Sequence, residues 1–308
     1  MKAVRYSKYG APEVLKLTEV KKPAPKANEI LVKIHATSVT FGDVRLRASD
    51  FPPLFWLPAR LIFGLFKPKK QILGHEWAGV IEQTGKEVTQ FNIGNEVFGT
   101  TSMLKTGAYA EYLCVPETWS QGAVIHRSKN LSFEESAVLP IAGMTALFLL
   151  EKAKIEKGQH ILVNGASGSV GSYTVQIAKH LGAVVTGVCS TGNIEMVRSL
   201  GATNVIDYKK EDFTQSKKHF DIIFDAVGKI SKSKTKLILS TNGHFVSTKM
   251  LTKESPELLE KVKKLAEQKA IIPYIDRQFK LADIVTAHNY VDTGRKRGNV
   301  SIKVINEE

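Results

Sequence analysis

The sequence predicts an α/β protein with a β-rich first part and a second part built on a parallel sheet. Three observations carry this. Up to Gly122 the chain is made of short apolar runs broken by glycine, such as EILVKIHATSV, GHEWAGVIEQTG and GNEVFGT. From Gln159 onward, strand and helix patterns alternate with short connections, which is how a parallel sheet with helices on both faces reads. Within that series one apolar strand runs into a glycine turn and then a helix, HILVNGASGSVGSYTVQIAK. The expected division is a β-rich domain of residues 1–122 with 271–308, and an α/β domain of residues 123–270.

In the first part, AYAEYLCVP is a further strand ending at Pro116, and no long amphipathic helix is expected outside Asp43–Ala48. After Asn130 the pattern changes. LSFEESAVLPIAGMTALFLLEKA has helical spacing, and Ser132 and Glu135 stand as a capping box at its start. HILVNG is a short buried strand, VGSYTVQIAKHLG a helix, AVVTGVCS a strand and NIEMVRSLGA a helix. NVIDY, FDIIFDAVG and GHFVST follow as strands, with KTKLILS helical before the last of them. ELLEKVKKLAEQ is an amphipathic helix, and the tail AHNYVDTGRKRGNVSIKVI gives a helix end and a final strand that rejoins the first domain.

A length of 308 residues accommodates two domains or one large one, and 43% hydrophobic with 24% charged residues are the proportions of an ordinary soluble globular protein. The net charge of +13 includes lysine runs at Lys67, Lys69, Lys70 and at Lys229, Lys232, Lys234, Lys236. Neither run interleaves aromatics, so a solvated surface is expected and no specific nucleic-acid partner. A positive field still favours a phosphate-rich cofactor or an anionic membrane surface. MKAVRYSKYG lacks the apolar core of a signal peptide, and Cys114 and Cys189 sit in apolar runs as buried thiols. Both features predict a cytoplasmic protein. The apolar stretch FPPLFWLPARLIFGLF holds three prolines and Arg60 and is too short to span a bilayer. It reads as the wall of a substrate pocket, ahead of a mobile cover or a patch in weak peripheral contact with lipid.

The glycine turn is the most informative stretch. Gly165, Ser167, Gly168, Ser169 and Val170 lie where a strand ends and a helix begins, so their backbone N–H groups can face a pyrophosphate. Gly171 stands where the helix must pack closely on the strand. The pattern Ala166-x-Gly168-x-x-Gly171 is a dinucleotide fingerprint with its first glycine replaced, and the strand–turn–helix context supports it. An NAD site carries an acid at the end of the next strand, about 20 residues on. Here that strand ends in Ser190-Thr191-Gly192-Asn193. Hydroxyls accept a 2′-phosphate where a carboxylate repels it, so NADPH is the expected cofactor. Tyr208 either reaches the same phosphate or is a strand-end aromatic.

With SVTFGDVRLR, GHEWAGVIEQTG, GNEVFG, GAYAEY, LPIAGMTA, NGASGSVGSYTVQIAK, LGATNVIDY, FDAVG, GHFVST and RGNVSIKV in that order, the chain resembles the medium-chain dehydrogenase/reductase superfamily. Within it, the resemblance is to the zinc-free NADPH:quinone oxidoreductase group related to zeta-crystallin. It implies a GroES-like domain completed by the C-terminal tail, a Rossmann-type domain, and an active site in the cleft between them. In zinc-dependent relatives the ligand positions correspond to Thr40, His75 and Ile141 here. Isoleucine cannot ligate and threonine is a poor zinc ligand, so no metal site is expected. His75 is then structural or substrate-facing. The resemblance places Thr40 near the nicotinamide, with Asp43 holding its loop, and makes these the catalytic candidates. It adds Thr145, Val227, Ser247 and Asn299 as cofactor contacts beside the cradle, and Tyr109 as a packed strand aromatic or a pocket residue.

The implied reaction is hydride transfer from NADPH to a small-molecule electron acceptor, a quinone or an α,β-unsaturated carbonyl. The alternatives are a zinc-type alcohol dehydrogenase with unusual ligands and a non-catalytic, crystallin-like NADPH-binding protein. Only KMLTKESP separates GHFVST from the next helix, where relatives insert another strand. The sheet is therefore expected to end at GHFVST, and the protein to be a monomer or a weak homodimer.

Overall fold

The computed structural model describes residues 1–305. It divides into two compact units, Met1–Ile141 with the segment from Ile275 onward, and Ala142–Tyr274.

In the first unit, β1 (Lys2–Arg5) pairs antiparallel with β2 (Lys16–Glu19). The central strand β3 (Glu29–Ser38) is followed by α1 (Phe41–Ala48) and α2 (Pro53–Phe63), then β4 (Glu76–Thr84), β5 (Glu96–Thr100), β6 (Tyr112–Pro116) and β7 (Val124–His126). β3 pairs antiparallel with β4 and with β6, while β5 joins β4 to β7. Ile30, Val32 and Ile34 of β3 pack with Trp77, Ile81, Val97 and Leu113 into one core cluster. Their spacing of two is that of one strand face, and each fully buried side chain of this size is worth about 1.5–3 kcal/mol. The unit runs past Gly122 because β7 pairs with β5 and α3 (Phe133–Ala137) packs against β3 and β4.

The helical stretch expected from Leu131 to Ala153 is two helices, α3 and α4 (Pro140–Lys152). Proline at the first position of α4 has no N–H to donate backward and keeps Leu139 out of helical geometry. The capping box at Ser132 and Glu135 forms as expected, with both reciprocal bonds present.

The second unit carries β8 (His160–Asn164), α5 (Ser169–His180), β9 (Val184–Cys189), α6 (Ile194–Ser199), β10 (Asn204–Asp207), β11 (Phe220–Asp225), β12 (Leu239–Ser247) and α7 (Pro256–Glu267). The five strands are all parallel, in the order β10-β9-β8-β11-β12. The chain therefore reverses direction across the sheet between β8 and β11, the switch point where doubly wound sheets bind their ligands.

One expected helix does not form. KTKLILS contributes a short 3-10 turn, Lys232–Thr235, and then enters β12 at Leu239. Ile238 is fully buried and its carbonyl accepts from Phe220 N at 2.8 Å, so sheet pairing and burial override the local helical pattern. β12 ends the sheet, as expected from the short KMLTKESP connection. Its register on β11 jumps from Leu239 to His244, and the intervening Thr241 and Asn242 are exposed. An irregular edge of this kind resists pairing with another strand.

The chain returns to the first unit as β13 (Ile275–Lys280), α8 (Ile284–Asp292) and β14 (Asn299–Lys303). β14 pairs antiparallel with β3 and parallel with β13. A second core cluster, with Val4, Leu73, Tyr109, Ile284, Val291 and Val300, ties this return to the N-terminal strands. Cys114 is half-buried, Cys189 is buried, and both are free thiols. Among the described residues no helix is long and apolar enough to cross a membrane.

Candidate active site

In the first unit the polar centre is Asp43, on the first turn of α1 and fully buried. Thr40 is the N-cap of that helix: its Oγ1 accepts from Asp43 N at 3.1 Å and donates to Asp43 Oδ2 at 2.6 Å. Thr40 N donates to the same Oδ2 at 3.0 Å, which completes a capping box. The other carboxylate oxygen, Oδ1, accepts from Gly74 N and from His75 Nδ1, both at 2.8 Å. Burial alone would raise this carboxyl, but the charge and hydrogen bond of His75, with the hydroxyl of Thr40, hold it well below the ordinary carboxylate range.

The network continues inward. Arg47, only 3% exposed, donates from Nη1 to His288 Nδ1 at 3.3 Å and from Nη2 to Asp292 Oδ2 at 2.8 Å. With Nδ1 accepting, the proton of a neutral His288 sits on Nε2, which lies 3.2 Å from Tyr109 Oη. Burial pushes His288 down to about 3, so it is neutral, and burial with the nearby Asp43 carboxylate pushes the Tyr109 phenol far up. Tyr109 is fully buried and packs edge-on against His288, which makes it a core aromatic.

Glu76 lies beside this network at 2% exposure. Its Oε1 accepts from Ser38 Oγ and its Oε2 from Ile141 N at 2.8 Å. Burial raises its carboxyl to about 7, with Ser38, Ile141 N and Lys296 opposing the rise. Lys296, in the turn before β14, is brought down to about 8 by burial while Glu76 and Asp276 pull the other way. Asn299 opens β14 in this same unit. Among the described residues no group of three or more His, Cys, Asp or Glu side chains is arranged to hold a metal ion.

In the second unit the glycine turn sits at the C-terminal end of β8, at the switch point. Gly165 has φ of +77°, and a Cβ there would come within 2.4 Å of Val227 Cγ2, so Val227 lies over the turn. A Cβ on Gly171 would come within 2.1 Å of the Gly165 carbonyl oxygen, which only glycine avoids. α5 starts after Gly168 with no side-chain cap, leaving its first turn with Ser169 and Val170 to face an anion. Asn193 Nδ2 donates to Ser167 Oγ at 3.0 Å and to Ser190 Oγ at 3.2 Å, joining the turn to the end of β9. Thr191 Oγ1 donates to Asp207 Oδ2 at 2.6 Å, and that bond lowers the Asp207 carboxyl. Tyr208, 55% exposed, borders an open depression of about 310 Å³ together with Lys209 and Lys210. Thr145 lies half-buried on α4, and Ser247 ends β12, two strands from β8.

The cradle fits a dinucleotide: an uncapped helix start and a turn kept clear by glycine meet a strand end bearing hydroxyls. Asp225, which the sequence reading passed over, is what holds its rim. Fully buried at the end of β11, it accepts from Asn164 Nδ2 at 2.9 Å, from Val227 N and Gly228 N at 3.1 Å, and from Ile230 N at 3.2 Å. The only hint in the sequence was an acid closing an apolar strand before AVG.

A β-rich unit with an Asp–His pair whose carboxylate is buried and a parallel-sheet unit with a phosphate cradle define a two-domain nucleotide-dependent oxidoreductase. Residues 26–124 match the alcohol dehydrogenase GroES-like domain, and residues 169–275 the zinc-binding dehydrogenase family. The chain is 34% identical to the 2-methylene-furan-3-one reductase of Solanum lycopersicum, over 99% of this chain and 79% of that protein. It is 30% identical to the NADPH-dependent alkenal/one oxidoreductase of Arabidopsis thaliana, over 98% of this chain and 79% of the relative. The solved quinone oxidoreductase of Coxiella burnetii superposes with a TM-score of 0.84 at 29% identity, covering 99% of both chains. The chain belongs to the medium-chain dehydrogenase/reductase superfamily, with quinone and enone oxidoreductases as its relatives.

Proposed function

We propose that the protein is a reductase that adds hydride from NADPH to a quinone or an α,β-unsaturated carbonyl, and that it works without zinc. The observation that carries this is the pairing of an intact dinucleotide cradle with a first-unit site organised on Asp43. In that site Thr40 and Ile141 stand where zinc-dependent relatives have ligands, and the Ile141 N–H is engaged by Glu76. Isoleucine offers no side-chain donor to a metal.

Gly165, Ser167, Gly168, Ser169 and Val170 would hold the pyrophosphate. Ser190, with Tyr208 beside it, would receive the 2′-phosphate, and Thr191 would join them by giving up its bond to Asp207. Lys209 and Lys210 supply the cations that Gly192 and Asn193 lack. Bound NADPH supplies the hydride. Quinones and enones are electron-poor, so they need positioning more than electrophilic activation.

The resemblance offers the Thr40 hydroxyl as a donor to the nicotinamide ribose or to the developing oxyanion, but in the structure its proton goes to Asp43. His75 is better placed for that task. Its Nδ1 is fixed by Asp43, Nε2 is turned away from the carboxylate, and the side chain is 17% exposed. In this reading Asp43 holds the Nδ1–H of His75, and the doubly protonated ring gives its Nε2 proton to the acceptor oxygen and regains one from solvent. His75→Ala is expected to lower kcat by about a hundredfold without weakening NADPH binding.

The irregular β12 edge supports a monomer or weak homodimer, and the two free thiols support a reducing, cytoplasmic setting. Oxidation of NADPH by a panel of quinones and enones, before and after prolonged chelation, tests the reading. Turnover that survives chelation is the expected result. No turnover with any acceptor, or turnover lost together with stoichiometric zinc, overturns it.

A further inference from the structure

Helix α2 reverses the usual arrangement of a surface helix, which turns its apolar side inward and its polar side to water. At 100° per residue, Leu54, Phe55, Leu57, Pro58, Leu61 and Ile62 share one side. Leu54 is 82% exposed, and Phe55, Leu57, Leu61 and Ile62 are each more than half exposed. No residue of the helix is buried, and no polar side chain lies on that outer face.

The inner side is anchored. Arg60 lies over the Tyr9 ring at 4.1 Å and donates to Ser49 Oγ at 3.1 Å, and the Phe63 and Phe51 rings stack at 5.8 Å. Tyr9 Oη donates to the Gly64 carbonyl at 2.8 Å. The apolar face is therefore held outward by specific contacts on the opposite side.

Its own segment is basic, with the exposed Asp50 standing just before it. From Phe51 to His75 the chain has no acidic residue and carries Arg60, Lys67, Lys69 and Lys70. Phe66, just past the helix, is 89% exposed, and Lys67 and Lys69 beside it are exposed as well. Lys69 Nζ also donates to the Leu61 carbonyl at 2.8 Å, which holds one cation at the helix end. An apolar face bordered by cations is complementary to a bilayer surface carrying anionic headgroups. Two copies of this face would bring two such basic rims together with no acidic partner in either segment.

We propose that the outer face of α2 docks into the surface of an anionic lipid bilayer, with Leu54, Leu57, Leu61, Ile62 and Phe66 entering the acyl boundary. Lys67 and Lys69 then meet the lipid phosphates. This replaces the pocket-wall reading of the segment. For a lipid-soluble acceptor the contact places enzyme and acceptor in one phase. That consequence rests on the reductase reading, but the lipid contact does not.

Co-sedimentation of the full chain with vesicles tests it, using phosphatidylcholine alone and phosphatidylcholine with about a third phosphatidylglycerol. The expected result is binding about tenfold tighter on the anionic vesicles, weakened by added salt. The double variant Leu54→Glu, Leu61→Glu should bind about tenfold less tightly or worse, with an unchanged circular dichroism spectrum and thermal midpoint. Lys67→Glu with Lys69→Glu should abolish only the preference for anionic lipid. Parent protein left in the supernatant with both vesicles overturns the proposal. So does a leucine double variant that binds like the parent but loses turnover of a water-soluble quinone, which would make α2 a pocket wall. A parent dimer in lipid-free light scattering that the same variant dissolves assigns the face to a second copy and also overturns it.

Discussion

Replacing Asp43 by asparagine keeps the shape of the side chain and removes half of what it accepts. Two donors converge on each carboxylate oxygen: Thr40 N and Oγ1 on one, Gly74 N and His75 Nδ1 on the other. Asparagine retains one acceptor oxygen and points an NH₂ group at the remaining pair. Two buried hydrogen bonds to a charged acceptor are lost, each worth about 1.5–3 kcal/mol. Relief from burying a charge offsets part of that, so a loss of about 4 kcal/mol is expected, within the range for breaking a buried pair.

Urea unfolding followed by tryptophan fluorescence is the direct assay, because all three tryptophans, Trp56, Trp77 and Trp119, lie in the first unit with Asp43. The pH dependence has a definite sign. The native carboxyl is depressed, so its contribution is present above its ordinary value near 3.8 and is lost as pH falls through and below that value. Parent and variant should differ fully at neutral pH and converge only in acid. A variant within about 1 kcal/mol of the parent at neutral pH would refute the claim that these four donors depend on a carboxylate.

Two further outcomes follow from the same structure. Ser190→Asp should weaken NADPH binding by about tenfold or more while leaving NADH binding largely unchanged, since a carboxylate after β9 would join that of Asp207 at the end of the neighbouring β10; titration of both cofactors by fluorescence measures it, and equal loss for both would place the 2′-phosphate elsewhere. Glu76→Gln should flatten the pH dependence of stability below neutrality. Burial raises this carboxyl from 4.5 to about 7, so the native state holds the extra proton and parent stability falls as pH rises through that window, by about 3 kcal/mol in all. Thermal midpoints of parent and variant across the window give the comparison, and parallel slopes would show that Glu76 ionises normally.

Much of the second unit was legible because its constraints are local. Gly171 is required wherever a helix start crosses a strand-end carbonyl at contact distance, and that requirement is written at one position. In the first unit the capping box at Ser132 and Glu135 is likewise set within four consecutive residues. KTKLILS misled because its local pattern is helical while Ile238 and Leu239 are committed to β11 through burial and pairing. The α2 segment was open to two readings for a different reason: apolar composition reports burial on average and says nothing about which way an anchored helix faces.

Convergence across the chain leaves no local mark at all. Arg47 meets His288 from 241 positions away, and His288 meets Tyr109 from 179. Each is an ordinary residue in its own element, and only the return of the tail to the first unit makes them a network. Asp207 shows how this bears on function. A search for an acid at the end of β9 finds only hydroxyls, yet the parallel register sets Asp207 opposite Cys189, and Thr191 reaches its carboxylate. That negative charge lies where the 2′-phosphate is expected, so binding NADPH depends on how far Lys209 and Lys210 compensate it. Lys209→Ala with Lys210→Ala should therefore reduce the preference for NADPH over NADH several-fold, and more so at low salt, where the charges are least screened. An unchanged preference would leave Ser190, Thr191 and Tyr208 as the sole determinants and remove Asp207 from the account.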